Sequence, residues 1–298
     1  TQGEELKEAF DQAIVDMIED GTLSSLSKEY LGRDYVGNIQ IVESATDNTK
    51  TMANLFDLSL VFKNIPSILR YLPTTLFITF ISALCSFLLG MVIALIIHHH
   101  VPIINKISKF YVSFMRGTPL LVQLYLTFYG IPILLQYINF YRGTSFSVNS
   151  IPPVLFVIVA FSLNEAAYAS ESLRAGLEAV DKGEQEAALS LGMSPLQTFM
   201  RITLPEALVI ALPSLGNSLV GLIKGTSLAF TCAVIDITAG GKIIASRNFR
   251  YFESYISVAL IYWVMTIVIS WLLKKLEKKL RADGGNENVE STTLEEKL

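Results

Sequence analysis

Residues 71–97 read YLPTTLFITFISALCSFLLGMVIALII and contain no charged side chain. A helix rises 1.5 Å per residue, so about 20 such residues cross the roughly 30 Å hydrocarbon core of a bilayer. Two further uncharged runs, 117–141 and 254–273, satisfy the same length requirement. The composition agrees, because 51% of the 298 residues are hydrophobic and 17% are charged, unlike an average soluble protein. These runs predict an all-α membrane protein.

Two more apolar runs are interrupted by charge. Residues 151–175 contain Glu165 and Glu171, and residues 206–235 contain Lys224. Charged side chains are tolerated in a span when they face the interior of a helix bundle. Together with the uncharged runs, these two segments bring the prediction to five transmembrane helices.

The orientation of the spans is predicted from the lysines and arginines near their ends, which favour the cytoplasmic side. With the C-terminus inside, eleven of these residues flank the inner ends of the spans and six flank the outer ends. The inner group is Lys106, Lys109, Arg116, Arg174, Lys182, Arg201, Lys274, Lys275, Lys278, Lys279 and Arg281, and the outer group is Lys63, Arg70, Arg142, Lys242, Arg247 and Arg250. The bias predicts the N-terminus outside and the C-terminus inside.

The segment between the third and fourth spans, 176–205, is polar and contains strong local signals. Gly192 suits the left-handed end of a helix. Ser194 begins a second helix with Pro195 in its first turn and Gln197 completing a capping box. The predicted result is a helix, a tight turn and a second helix standing out from the membrane. By itself this hairpin either connects two spans or offers a small-residue face, at Ala187 and Ala188, to another protein.

This segment resembles the EAA loop of bacterial ABC importer permeases at each signature position. The matching residues are Glu186, Ala187, Ala188, Gly192, Ile202, Leu204 and Pro205. The resemblance implies a type I ABC importer permease fold. It also implies that the first helices of the loop form a coupling helix, which docks in a cleft of an ATPase subunit.

Residues 56–281 as a whole resemble the polar amino-acid uptake permeases of that class. The motifs are MRGTPLLVQLYLTFYGIP, AAYASESLRAGLEAV and LIKGTSLAF, and Gly225 stands where the family usually has an acidic residue. The resemblance implies a non-enzymatic permease subunit of an ATP-driven amino-acid importer in the cytoplasmic membrane of a bacterium. Cystine is the favoured substrate, followed by glutamine or another polar amino acid.

The same resemblance implies the partners. They are two copies of an ABC ATPase subunit and a second permease copy or homologue, with membrane lipid around them and no nucleic acid. The sequence around Lys224 runs Lys-Gly-Thr-Ser within an apolar run, which does not match a phosphate-binding loop. We therefore expect no cofactor on this chain, with ATP and Mg on the partner ATPase.

Residues 1–36 resemble the closing helices of extracellular amino-acid-binding proteins, which implies the tail of a fused extracellular binding domain. The polar segment 37–55 is predicted to be a linker, the segment 56–281 the transmembrane domain, and the acidic segment 282–298 a disordered tail. These four ranges are the predicted domain organisation.

Ionisable and polar residues within the spans are the candidates for contact with the substrate. A zwitterionic amino acid requires an acceptor for its ammonium group and donors for its carboxylate. The candidate substrate-binding residues are Asn164, Glu165, Tyr168, Glu171, Lys224, Thr226, Ser227, Thr118 and Gln123. The alternative is that Glu171 and Lys224 form a structural ion pair or pack at a dimer contact.

Two other functions remain open at this point. An ion-coupled secondary transporter would use the same spans, although no internal repeat is visible and the EAA loop would have no role in it. A membrane sensor would use the outer domain, although no output domain follows the last span. The histidines at 98–100 and the two cysteines, Cys85 and Cys232, predict no metal site and no disulfide.

Overall fold

The computed structural model describes residues 2–31, 34, 36, 56–145, 147 and 151–283. The predicted linker 37–55 lies outside these residues, as does the predicted tail from residue 284 onward. The chain divides into two compact units, Thr1–Leu55 and Phe56–Leu298. In the first unit, helix α1 (Gln2–Glu19) is followed by α2 (Thr22–Leu31).

The second unit is built of helices, of which five are long and apolar enough to cross a membrane. In chain order its helices are α3 Leu58–Leu69, α4 Leu72–His98, α5 Ile104–Gly117, α6 Leu120–Arg142, α7 Pro153–Ala179, α8 Lys182–Ser190, α9 Pro195–Thr198, α10 Leu204–Gly225, α11 Ile237–Asn248 and α12 Tyr251–Asp283. Four of these candidate spans coincide with α4, α6, α7 and α12, and each begins within three residues of the start of its predicted run. The other candidate span, Pro195–Cys232, includes α9 and α10. The prediction of five transmembrane helices is confirmed.

Helix α7 is the centre of the bundle and packs against α4, α5, α6 and α10. Small side chains make this packing possible, because they let two helix backbones approach closely. Close packing matters in a membrane, where the hydrophobic effect does not drive helices together. A Cβ placed on Gly90 of α4 would lie 2.9 Å from the Cβ of Ala169 on α7. A Cβ on Gly176 would overlap the carbonyl oxygen of Ala207 on α10. The sequence of α7 is therefore matched to two close helix contacts.

A second packed group joins α3 and α11 to the last span, α12. Its apolar core includes Ile68, Ile237 and Val258. Buried hydrogen bonds accompany the core, since Ser257 Oγ donates to the carbonyl of Val61 at 2.7 Å and Asn64 Nδ2 donates to Ser254 Oγ at 3.2 Å. Helix α3 is thus anchored to α12 by its inner face.

The fourth predicted run, 206–235, lies largely within the candidate span Pro195–Cys232, but it is not one continuous α-helix. Helix α10 stops at Gly225, a 3₁₀ segment occupies Thr226–Cys232, and the chain reverses at Ala233, which has φ +59°. The reason is the fully buried Asp236, whose carboxylate accepts from the backbone N–H of Ala239 at 2.9 Å and caps α11. Burial raises the pKa of this carboxyl group. A buried carboxyl group requires hydrogen-bond donors, and the reversal brings Asp236 to them.

Candidate functional site

The segment with the EAA signature forms two capped helical elements joined by a tight turn. Asp181 begins α8 by accepting from the backbone N–H of Gly183 at 2.8 Å. Gly192 ends it with φ +88°. The N–H of Met193 donates to the carbonyl of Ala188, and that of Gly192 to the carbonyl of Leu189, which is the Schellman pattern of a helix end. The predicted left-handed termination at Gly192 is confirmed.

The second element begins with the predicted capping box. Ser194 Oγ accepts from the backbone N–H of Gln197 at 3.3 Å, and Gln197 Oε1 accepts from the N–H of Ser194 at 2.9 Å. The second helix begins where it was predicted. It does not end before the fourth span, because α9 has only four residues and continues through a π turn, Phe199–Thr203, into α10. Pro205 lies in the first turn of α10, directly after the π turn, and the helical path continues through it.

The outward side of this segment differs from the predicted alanine face. Glu186, Ala187 and Gly192 are exposed, but Ala188 is 4% exposed and packs within the chain. Of the other signature residues, Ile202 and Leu204 are partly buried and Pro205 is exposed. The large exposed apolar side chains are instead leucines, with Leu191 86% and Leu196 70% exposed. Two leucines in an otherwise polar segment could have been recognised in the sequence as candidates for an exposed apolar surface. The sequence does not show which side of each helix faces the bundle, so it could not show that these leucines face outward.

Three of the predicted substrate-binding residues form one hydrogen-bonded group where α5 gives way to α6. Asn164 Nδ2 donates to Gln123 Oε1 at 2.9 Å, and Gln123 Nε2 donates to Thr118 Oγ1 at 2.7 Å. Gln123 Nε2 also lies 2.9 Å from the carbonyl oxygen of Met115. Asn164 and Gln123 are buried. Their side-chain amides bond to polar groups left free where the helix is broken between α5 and α6. This group therefore holds α5, α6 and α7 together.

Glu171 and Tyr168 continue the same stripe of α7 and meet the end of α5. The Glu171 carboxylate lies 2.8 Å from Arg174 and 3.9 Å from Arg116, and the Arg116 guanidinium lies 5.4 Å from the centre of the Tyr168 ring. No ion pair joins Glu171 to Lys224 among the residues described. Glu171 therefore forms a structural ion pair, but with Arg174 and not with Lys224.

A cavity of about 370 Å³ lies beside this ion pair. Its lining is charged and comes from the end of α4, the start of α5 and the end of α7. The residues are Ile97, His100, Lys109, Glu171, Arg174 and Glu178. Arg174 is held by Glu171 and Glu178. The two carboxylates exceed the one guanidinium by one negative charge, and Arg116 lies 3.9 Å from Glu171.

Thr226 belongs to a third polar group, around Asp236. Its hydroxyl donates to the carbonyl of Ile223 at 2.6 Å and lies 3.3 Å from the hydroxyl of Tyr262. Tyr262 in turn donates to Asp236 Oδ2 at 3.1 Å. Sequence reasoning missed Asp236 and Tyr262, because they come from separate elements that only the folded chain brings together. Ser227 is partly buried beside this group.

The remaining candidates, Glu165 and Lys224, are associated with a different side of the bundle. The Glu165 side chain lies near the hydroxyl of Ser218 on α10. Further along the same pair of helices, Ser172 Oγ of α7 lies 2.7 Å from Ser214 Oγ of α10. Lys224 is exposed, and within the described residues no salt bridge involves it. Glu165 and Ser218, with Ser172 and Ser214, thus place polar side chains along the contact between α7 and α10, which we call the polar track.

Residues 86–282 match the protein family described as binding-protein-dependent transport system inner membrane component. The chain belongs to this family. The match covers most of the transmembrane unit and includes both the segment with the EAA signature and the polar track between α7 and α10. Membership implies that the chain works with a substrate-binding protein and with an ATPase on a separate subunit.

The chain also matches individual relatives over nearly the whole length of those relatives. A probable amino-acid permease protein, YxeN of Bacillus subtilis (strain 168), is 39% identical over 227 residues, which are 76% of this chain and 97% of the relative. The L-cystine transport system permease protein TcyL of the same organism is 37% identical over 230 residues, covering 77% and 94%.

A solved chain described as the crystal structure of an amino acid ABC transporter with histidines has a similar fold. Its TM-score is 0.64 at 35% identity, and the match covers 75% of this chain and 99% of that chain. The predicted fold, a multi-pass permease of an ABC importer in the cytoplasmic membrane, is confirmed. So is the prediction that the chain is a transport subunit rather than an enzyme, because the family is a membrane component of transport systems.

Proposed function

We propose that this chain is the permease subunit of an ATP-driven importer of a polar amino acid, with its N-terminus outside and its C-terminus in the cytoplasm. The observation that carries the proposal is the segment 182–198, a rigid capped elbow with exposed leucines. Large apolar side chains held outward on a rigid element are typical of a protein docking surface. In this proposal Leu191 and Leu196 enter a cleft of the ATPase, and two ATPase copies serve two such segments.

A second permease copy, or a homologue, is proposed to cover the polar face of α10. Ser214, Asn217, Gly221 and Lys224 are exposed and follow one another at helical spacing. A lysine facing hydrocarbon costs about 2.5–3.5 kcal/mol on insertion scales, so lipid is a poor neighbour for this face. A second bundle enclosing a water-filled path would hydrate it.

The substrate-contact residues are proposed from the same face. Glu165 supplies an acceptor for an ammonium group, and Lys224 supplies a donor for a carboxylate. Tyr168 and Ser227 are proposed as wall residues. Asn164, Gln123, Thr118, Thr226 and Glu171 are bonded within the chain, and we assign them to holding the helices that form the path.

Cystine is the proposed substrate, with glutamine or another polar amino acid second. The support is the similarity to the cystine permease TcyL together with the motif LIKGTSLAF. The segment 1–36 is proposed to be the end of a fused extracellular binding domain that delivers the amino acid. ATP and Mg are proposed to bind to the partner ATPase, and no cofactor to this chain.

Reconstitution with the partner ATPase in proteoliposomes tests the proposal. Uptake of labelled cystine, and of glutamine in parallel, is expected to require ATP on the ATPase side of the vesicle. Uptake driven by an ion gradient without ATP would instead indicate a secondary transporter. Binding of cystine without any uptake would indicate a sensor.

A matched pair of glycines isolates the contribution of the coupling segment. Gly192 and Gly143 both have positive φ, and neither has an atom within 4 Å of an added Cβ. A side chain at positive φ costs about 1–2 kcal/mol, so Gly192→Val and Gly143→Val carry similar local strain. We expect the first to abolish ATP-dependent uptake and ATPase binding, and the second to preserve both.

A further inference from the structure

The junction between the coupling segment and the fourth span contains a widened helical turn. In the π turn Phe199–Thr203 the backbone N–H of Leu204 donates to the carbonyl of Phe199, five residues back. A π turn holds one residue more than the same stretch of α-helix, and single π turns are frequent at functional sites. The extra residue changes the direction in which the preceding segment, 182–198, faces relative to α10.

The size of this effect follows from helix geometry. Each residue of an α-helix turns the chain by about 100° and advances it by 1.5 Å. With one residue fewer between 199 and 203, the segment 182–198 would point about 100° away from its present direction relative to α10. The π turn therefore fixes the direction of the exposed side chains Leu191 and Leu196 relative to the bundle.

The first residue of the π turn places a large side chain among three other elements. The Phe199 ring packs against a buried cluster formed by Leu177 and Val180 at the end of α7 and Ala207 of α10. Leu95 of α4 packs against the same cluster. Its centre also lies 5.7 Å from the centre of the His99 ring, at the end of α4, with 58° between the ring planes. This separation is within the range of favourable aromatic contacts.

The neighbouring side chains do not make the same connection. Leu196 and Met200 are exposed, while Thr198 and Thr203 are buried but short. Ile202 is partly buried, but within residues 195–203 the ring contact with the end of the first span is the one between Phe199 and His99. Packed interiors transmit displacement because they contain few voids.

We propose that Phe199 is a positioning residue for energy coupling. When the ATPase moves the coupling segment, the Phe199 ring moves the end of α4 through His99, and the π turn keeps the ring in register for this contact. This inference rests on the proposed ATP-driven function and names the path by which the motion reaches the first span.

The test compares substrate transported per ATP hydrolysed in the complete complex, reconstituted with its ATPase and binding domain. In Phe199→Ala the ATPase is expected to co-purify in the wild-type ratio and to hydrolyse ATP, while cystine transported per ATP falls at least tenfold. Phe110→Ala is the matched control, because it removes an equal ring at a position that is 73% exposed on α5, and it is expected to keep the wild-type ratio.

Two variants of His99 keep the inference testable if Phe199→Ala fails to assemble. His99 is exposed, so its replacement leaves the core intact. His99→Ala is expected to lower the transport ratio in the same direction, and His99→Phe, which retains a ring, is expected to restore it. Wild-type ratios in Phe199→Ala or in His99→Ala would overturn the inference. Absence of ATP-dependent uptake in the wild-type complex would instead overturn the proposed function.

Discussion

The side-chain amide of Asn164 donates a hydrogen bond of 2.9 Å to the side-chain oxygen of Gln123, joining the middle of α7 to the first turn of α6. The Gln123 amide continues to the carbonyl of Met115 and the hydroxyl of Thr118. These contacts close the break between α5 and α6 at Pro119. A backbone break within a membrane bundle is tolerated where the protein satisfies its polar groups, and here two side-chain amides do so.

We expect Asn164→Ala and Gln123→Ala each to lower the free energy of unfolding by about 1–3 kcal/mol, because each leaves a buried partner unsatisfied. The double variant is expected to lose less than the sum, since both remove the same bond. Thermal unfolding of the purified protein in detergent measures this. Asn217→Ala is the control at an exposed amide and is expected to change stability by less than about 0.5 kcal/mol. If Asn164→Ala instead kept its stability and lost uptake, the result would favour the original prediction that Asn164 binds the substrate.

The contact between α7 and α10 depends on the missing side chain of Gly176. An alanine Cβ there would overlap the backbone oxygen of Ala207 and lie 3.2 Å from the Cβ of Ala211. We expect Gly176→Ala to destabilise the protein by about 1–3 kcal/mol, which is the usual cost of overpacking.

Gly130→Ala on α6 is the matched substitution, because nothing lies within 4 Å of its added Cβ. Alanine favours a helix over glycine by up to about 1 kcal/mol, so this variant is expected to be neutral or more stable. Both variants are compared by midpoint temperature in the same detergent. Equal midpoints would show that α7 and α10 separate easily at Gly176.

The proposed orientation is tested by cysteine labelling in a background in which Cys85 and Cys232 are replaced by serine. Ser190→Cys lies at the end of α8, and Thr144→Cys lies in the loop between α6 and α7; both positions are exposed. We expect a membrane-impermeant maleimide to label Thr144→Cys in intact cells and Ser190→Cys only after permeabilisation. The reverse pattern would place the coupling segment outside and remove the basis of ATP coupling.

Lys224 provides a direct test of the substrate path. Its side chain is exposed and makes no salt bridge among the described residues, so Lys224→Met is expected to leave the unfolding temperature unchanged. If the ammonium group donates to the substrate carboxylate, its loss removes about 1.5–3 kcal/mol of binding, which corresponds to a tenfold to hundredfold lower uptake at limiting substrate.

Lys63→Met on α3 is the control for the same change of charge and shape at an exposed position away from the track. It is expected to transport at the wild-type rate. The comparison uses initial rates of cystine uptake at several concentrations. Equal rates in Lys224→Met and Lys63→Met would exclude Lys224 from the path.

The capped elbow shows how much of the candidate site is local in origin. Gly192, Ser194 and Gln197 act through bonds to residues at most four positions away, so their roles follow from the order of residues. The end of α10 was not predictable in this way. It depends on Asp236 meeting Tyr262, and on Thr75, whose hydroxyl accepts from the backbone N–H of Ile237 at 3.2 Å across the bundle.

The sequence by itself determined the number of spans, the caps of the coupling segment and the family, because apolar run length, helix capping and short motifs depend on near neighbours in the chain. Only the tertiary structure decided which side of each helix meets another helix. The packing of the helices exposes Leu191 and buries Ala188. It also brings Asn164 into a hydrogen bond with Gln123 and Glu171 into an ion pair with Arg174. The physical reason is that a helix can face any direction until distant segments pack against it, and the polar groups then bond to whichever partners that packing supplies.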